Sequence, residues 1–426
     1  MESKEKTLNK KNKKIISITS IILAIVLAFA GGFFTRHFLI PKEANLATEL
    51  ISYIEAYSYV FDENGQVIDL NEKDYANALI NGLNDGYARY YTKSEYEKVL
   101  QKDNGNYSGF GVSINSQGEY PVITRVVSNS PAENAGILVG DKVVSATFKQ
   151  DVVQFNSVDM GGFLDGVAIG EEVEFKIERA GQEIFIKVIK SNYKVTYVKY
   201  FDNQGQVLFD YESGQTSVLT DKKIEVDNDT ALIRLEAFEG NVVYQFGKAM
   251  DYMEKTGHTK LILDLRDNGG GSMNDLLSVA RHLIYNGGEK AVIAYTQNKS
   301  NGKSYYMYGP IERKEIEDVV VLANEGTASA SECLIGAMLC YGEKNFTYDR
   351  ARLIIEKNSQ GVAKTYGKGI MQTTYLLSNG GAFKLTTARI LWPDRFCIHG
   401  TGITTIPENE VNAGGEAIVR AREILS

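Results

Sequence analysis

At 426 residues the chain exceeds one ordinary domain core, so about two or three folded units are expected. Hydrophobic residues make up 43% and charged residues 23%, which excludes a largely disordered chain, and 40 glycines against 6 prolines point to many tight turns. A formal charge of -8 and a sequence pI near 5.3 exclude a general nucleic-acid binder, since phosphate neutralisation needs a basic face.

The amino end carries Lys4, Lys6, Lys10, Lys11, Lys13 and Lys14, followed by an uncharged run from Ile15 to Phe34. About 20 helical residues span a bilayer core. The lysine excess orients a single-pass anchor over 15–36 with residues 1–14 in the cytoplasm and the rest outside the cell membrane. Ala28-Phe29-Ala30 leaves a cleaved signal peptide as the alternative.

From 43 to 102 the spacing of Leu46, Leu50 and Ile54, then Ala76, Leu79, Ile80 and Leu83, predicts helices without a titratable cluster. Self-association through these helices is a further expectation. Residues 103–195 read as a small β-rich domain of short alternating strands, among them Val173-Glu-Phe-Lys-Ile177. Its loop Ser108-Gly-Phe-Gly-Val112 offers backbone N–H groups to a peptide carboxylate. Ser130-Pro-Ala-Glu-Asn-Ala-Gly-Ile137 adds a capped helix start and a glycine stop. Together these resemble a PDZ domain, which implies a peptide-binding groove at Gly109, Phe110, Gly111 and Val112.

Residues 196–426 alternate apolar strands with helical segments, an α/β core: strands at Thr230–Leu235, Lys260–Leu265 and Val319–Leu322, helices near Val242–Lys255 and Met273–Leu283. The second of these strands ends in Arg266-Asp-Asn-Gly-Gly-Gly-Ser272, a turn that can aim N–H groups at a developing oxyanion but lacks the pattern of a phosphate loop. The third opens into Asn324-Glu-Gly-Thr-Ala-Ser-Ala-Ser-Glu332 and an apolar helix, where Ser329 and Ser331 are each either a helix cap or a nucleophile near the positive helix end. None of His37, His258, His282 and His399 stands in relation to a nucleophile elbow. Lys368, between two glycines and four positions before Gln372, is either a solvated loop lysine or a desolvated base.

The motifs Asp264-Leu-Arg-Asp-Asn-Gly-Gly-Gly271, Ala328-Ser-Ala-Ser331 and Tyr366-Gly-Lys-Gly-Ile-Met-Gln372, in that order after the PDZ-like stretch, resemble the carboxyl-terminal processing (tail-specific) serine proteases of peptidase family S41. The resemblance implies a crotonase-like core, a nucleophile at Ser329, a general base at Lys368 oriented by Gln372, and oxyanion donors at Gly271 and Ala330. It implies a serine endopeptidase acting outside the cytoplasm on proteins with apolar C-termini. The span from Ser329 to Lys368 is longer than the resemblance suggests, and 351–364 reads as an extra loop. A catalytically silent PDZ scaffold is the alternative reading. No His, Cys, Asp and Glu set stands at ligand spacing, so neither metal nor cofactor is expected, and Cys333, Cys340 and Cys397 read as apolar fillers.

Overall fold

The structure, a computed structural model, describes residues 42–57, 70–103, 106–127, 129–156, 159–209, 216–299, 303–308, 316–342 and 348–426. The expected tail and anchor at 1–36 lie outside the described residues. Among those described, no helix is long and apolar enough to cross a membrane. The chain divides into a unit before Asp85 and a unit from Asp85 to Ser426.

The first unit contributes α1 (Lys42–Tyr57) and α2 (Glu72–Asn81). Asn71 and Asp74 close a capping box at the start of α2, each side chain taking the other's backbone N–H.

The larger unit opens with β1 (Arg89–Tyr91), which lies within the stretch read as helical, and α3 (Lys93–Asp103). The tyrosine-rich Arg89-Tyr-Tyr91 forms a strand because it pairs with a partner almost 300 residues on, through Tyr90 to Phe383. Short strand pairing of this kind carries no local periodicity.

The small β domain follows: β2 (Asn106–Gly109), β3 (Val112–Asn115), β4 (Val122–Val126), α4 (Pro131–Ala135), β5 (Lys142–Phe148), β6 (Asp151–Gln154), α5 (Met160–Gly166), β7 (Glu172–Arg179), β8 (Gln182–Ile189) and β9 (Ser191–Lys194). Strands β3, β4, β5, β7 and β8 form an antiparallel sheet with β6 on β5, and β2 pairs with β9 apart from it. Alternation puts Val173, Phe175 and Ile177 of β7 into a core with Phe110, Ile123 and Val188. Helix α4 is bounded as its residues dictate, with Ser130 Oγ accepting from Glu133 N–H and Gly136 in the left-handed region at φ 87°.

The α/β core contains β10 (Val198–Phe201), β11 (Gln206–Phe209), β12 (Thr216–Leu219), β13 (Thr230–Leu235), α6 (Val242–Thr256), β14 (Lys260–Asp264), α7 (Met273–Leu283), β15 (Ala291–Asn298), β16 (Lys303–Tyr308), β17 (Asp318–Ala323), α8 (Ala330–Cys340), β18 (Leu353–Glu356), β19 (Ile370–Leu376), β20 (Ala382–Leu391), β21 (Glu410–Val411) and α9 (Glu416–Leu425). The main sheet runs β12-β11-β10-β13-β14-β17-β18-β21, parallel from β13 onward. Its central strands are apolar on both faces. Leu261, Leu263, Val319 and Val321 face α6, α7 and α8, whereas Ile262, Val320, Leu322 and Ile354 pack under Ala417, Ala421 and Leu425 of α9. A second, antiparallel sheet orders β1-β20-β15-β16, with β19 on β20.

The segment 351–364 is not an extra loop. It contains β18, whose residues are all buried and which pairs with β17 and β21 inside the main sheet. The apolar run Leu353-Ile-Ile355 is covered on both faces, Leu353 and Ile355 on one side of the sheet and Ile354 on the other. The cysteines also divide: Cys333 is buried, while Cys340 is exposed and Cys397 half-buried.

Helix α8 is buried from Ala330 through Met338, so no face of it is spare. A Cβ on its Gly336 would stand 2.2 Å from Trp392 Cε2. Alanine ordinarily favours a helix interior over glycine by about 1 kcal/mol, but overpacking a closed core costs about 1–3 kcal/mol. Gly336→Ala is therefore expected to lower the denaturant midpoint of the purified chain despite its helix propensity.

Candidate active site

The strand ends of β14 and β17 are neighbours in the sheet, and the two turns that leave them interlock. Asp267 N–H donates to Asn324 Oδ1 at 2.9 Å, Asn324 Nδ2 donates to Asp267 Oδ1 at 2.8 Å, and Thr327 Oγ1 donates to the Leu265 carbonyl at 2.8 Å. The glycine turn then lies against the start of α8. A Cβ on Gly270, at φ 98°, would meet Ser329 Cβ and Ala330 N at 2.8 Å each, so only glycine permits this approach.

Under the turn, Arg266 holds Asp264 with two nitrogens, Nε to Oδ1 at 2.8 Å and Nη2 to Oδ2 at 2.6 Å, and reaches Glu356 of β18 with Nη1 at 2.6 Å. This planar fork ties the glycine turn to the strand first read as spare loop.

The two candidate serines separate. Ser331 is fully buried and its hydroxyl donates to the Asn268 carbonyl at 2.9 Å. Ser329 is half-buried, lines a cavity, and has φ 58° and ψ -114°, a backbone conformation that a non-glycine residue adopts at a cost of about 1–3 kcal/mol. The cost is carried by Glu332, one turn along α8.

The fully buried Glu332 carboxylate accepts four hydrogen bonds: Ser329 N–H at 3.0 Å, Thr365 Oγ1 at 2.5 Å, Gly367 N–H at 2.7 Å and Lys368 N–H at 2.8 Å. The Ser329 turn and the Lys368 loop are thus fastened to one side chain. Sequence reasoning missed this residue; the only signal was its position three after Ser329, which reads as an ordinary capping box.

Lys368 lines the same cavity of about 750 Å³ as Ser329, Gly271 and Gln372. Burial lowers the pKa of its amine, the positive charge of Lys384 adds to the lowering, and Glu332 opposes it. Gln372 on β19 donates from Nε2 to Thr386 Oγ1 at 3.2 Å. Gly270 N–H is taken by Asn268 Oδ1 at 2.9 Å, while neither Gly271 N–H nor Ala330 N–H has an acceptor among the described residues. Gly271 sits at φ 145° with the Phe238 carbonyl 2.3 Å from where a Cβ would be. The expected residues Ser329, Lys368, Gln372 and Gly271 all line one cavity, and Ala330 adjoins it through Ser329. Gly109, Phe110, Gly111 and Val112 line a second cavity of about 510 Å³ in the small β domain.

Residues 229–406 match the family described as peptidase family S41. This stretch of the chain is a peptidase family S41 domain. The whole chain is 26% identical over 413 residues to a probable CtpA-like serine protease of Staphylococcus saprophyticus, covering 95% of this chain and 74% of that protein. It is 28% identical over 401 residues to one from Staphylococcus epidermidis, covering 91% and 71%. To one from Staphylococcus aureus it is 27% identical over 341 residues, covering 79% of this chain and 60% of that protein. The photosystem II D1 C-terminal processing protease shares the fold, with a TM-score of 0.51 and 23% identity over 89% of this chain and 94% of that one. The S41 match over 229–406 and the CtpA-like serine protease relatives support a serine peptidase, and the core is of the mixed α/β kind.

A neutral amide at Glu332 would turn an N–H₂ toward bound donors and leave at least one unsatisfied, at about 1–3 kcal/mol. Glu332→Gln is expected to lower the denaturant midpoint and to slow phosphonylation by a fluorophosphonate by at least about 100-fold through misplacement of Ser329 and Lys368. Wild-type phosphonylation kinetics in this variant would reject the clamp.

Proposed function

We propose that the chain is a serine endopeptidase with Ser329 as nucleophile and Lys368 as general base. The observation that carries this reading is the shared cavity, in which a strained serine at a helix start and a desolvated lysine stand with two N–H donors that have no acceptor among the described residues. Ser329 Oγ attacks the scissile carbonyl while Lys368 Nζ takes its proton. The oxyanion is held by Gly271 N–H and Ala330 N–H. The amine then returns its proton to the leaving nitrogen, and water hydrolyses the acyl-enzyme. Because Gln372 donates to Thr386, its carbonyl oxygen remains to accept from the lysine amine and orient it.

The small β domain is proposed to act as a PDZ module that captures the apolar C-terminus of a protein substrate. Gly109 at φ 149° and Gly111 at φ 86° give its loop the form that exposes consecutive N–H groups, and a Cβ on Gly111 would stand 2.1 Å from Ser130 Cβ. Phe110 and Leu164 supply the apolar wall of that cavity. The lysine-flanked apolar run at 15–34 supports a membrane-tethered peptidase working outside the cytoplasm.

Removal of the nucleophile in Ser329→Ala is expected to reduce cleavage of an unfolded polypeptide by at least about 1,000-fold, leaving at most the residual catalysis that binding supplies. Retention of full activity would refute the assignment. Only the neutral amine accepts a proton, so kcat/KM falls as pH drops through the lowered Lys368 pKa. Lys384→Met removes a neighbouring positive charge, which raises that pKa, and the acid limb is expected to move to higher pH.

A further inference from the structure

The lysine is met from outside its own loop by residues far earlier in the chain. In the turn before β1, the Tyr87 ring lies against the Lys368 ammonium, 4.9 Å from ring centroid to Nζ. The ring is held on two sides. Tyr87 N–H donates to Asp85 Oδ1 at 3.0 Å, and its hydroxyl stands 3.4 Å from the Tyr366 hydroxyl. The Asp85 carboxylate also accepts Thr386 N–H and Thr386 Oγ1 from β20, at 3.1 Å each. Thr386 Oγ1 is in turn the acceptor for Gln372. One carboxylate therefore sets both the ring beside the lysine and the amide across from it.

We propose that Tyr87 is a positioning residue for Lys368, its ring face stabilising the ammonium that forms when the amine takes the Ser329 proton, with Asp85 and Thr386 holding Tyr87 and Gln372 in register. The proposal rests on Lys368 being the base. A neutral amine gains little from a ring face, whereas a desolvated cation gains substantially, so the contact strengthens as the proton moves. The Tyr87 hydroxyl is pushed up to about 12, first by its hydrogen bond with Tyr366, and so stays neutral near physiological pH. It is the ring face, not a phenolate, that meets the cation.

The charged groups facing Lys368 are Glu332 from α8 and Lys384 from β20, with Tyr366 in its own loop, and Arg125, Glu236, Glu239, Asp267 and Asp275 elsewhere on the cavity wall. All of these are unchanged in a Tyr87 variant. Tyr87→Leu keeps the apolar cover and removes the ring quadrupole, which separates the cation contact from desolvation.

The test is the pH dependence of serine phosphonylation by a fluorophosphonate, with loss of fluoride, in the full chain, normalised to titrated active sites. In Y87L the rate is expected to fall about tenfold, and the acid limb to move about 0.5–1 unit to lower pH as the ammonium loses its partner. Y87F, which keeps the ring, is expected to retain both the wild-type rate and the wild-type limb. An unmoved limb in Y87L, or a limb moved as far by Y87F as by Y87L, would overturn the proposal. Should Y87L not fold, Y87M carries the same prediction. Lys368→Ala distinguishes the two levels: wild-type phosphonylation there refutes the base itself, whereas loss of phosphonylation in K368A with an unmoved Y87L limb refutes the role of Tyr87 alone.

Discussion

Everything around the cavity depends on one buried carboxylate. Glu332 lies inside the apolar helix α8, where an unpaired charge would cost several kcal/mol, and it is tolerated because each of its oxygens is met by two donors. Charge-assisted hydrogen bonds of this kind contribute about 1.5–3 kcal/mol each, enough in sum to hold Ser329 in its left-handed conformation. The same four contacts bring the Lys368 loop onto the start of α8. Strain at Ser329 and placement of the Lys368 loop are thus two consequences of one desolvated anion.

A second network performs the equivalent service one layer deeper. Arg266, spanning Asp264 and Glu356, links the ends of β14 and β18 across β17 and gives the glycine turn a rigid floor. The turn itself contributes almost no side-chain mass. Its backbone is pressed directly on Ser329 and Ala330, with Gly270 and Gly271 in positive-φ conformations that a side chain would obstruct. Ser329 thereby stands at the start of a buried helix, and the loop of Lys368 is fastened to that helix by Glu332.

Much of this was legible in the residues. Strands β13, β14 and β17 and helices α6 and α7 announced themselves by period, because a strand buried on both faces is a continuous apolar run and an amphipathic helix repeats at three and four. The cap of α4 was readable from Ser130, Pro131 and Gly136. What escaped was long-range pairing. Nothing near Glu332 hints at Gly367 and Lys368, nothing near Arg266 hints at Glu356, and Asp85 finds Thr386 only after the whole chain has folded. Ser329 and Ser331 looked alike as cap residues until the fold buried one hydroxyl against Asn268 and left the other at the cavity. β18 was hidden for a related reason, since three apolar residues before a glutamate identify a core strand only once neighbours exist to cover them.

The most direct measurement is mapping of the covalent adduct. The full chain is labelled with a fluorophosphonate, digested, and sequenced by mass spectrometry across 324–342, which contains both candidate hydroxyls. The account predicts a single adduct on Ser329, none on Ser331, and no adduct when Lys368 is replaced by alanine. An adduct on Ser331, or labelling of Ser329 that persists undiminished without Lys368, would contradict it.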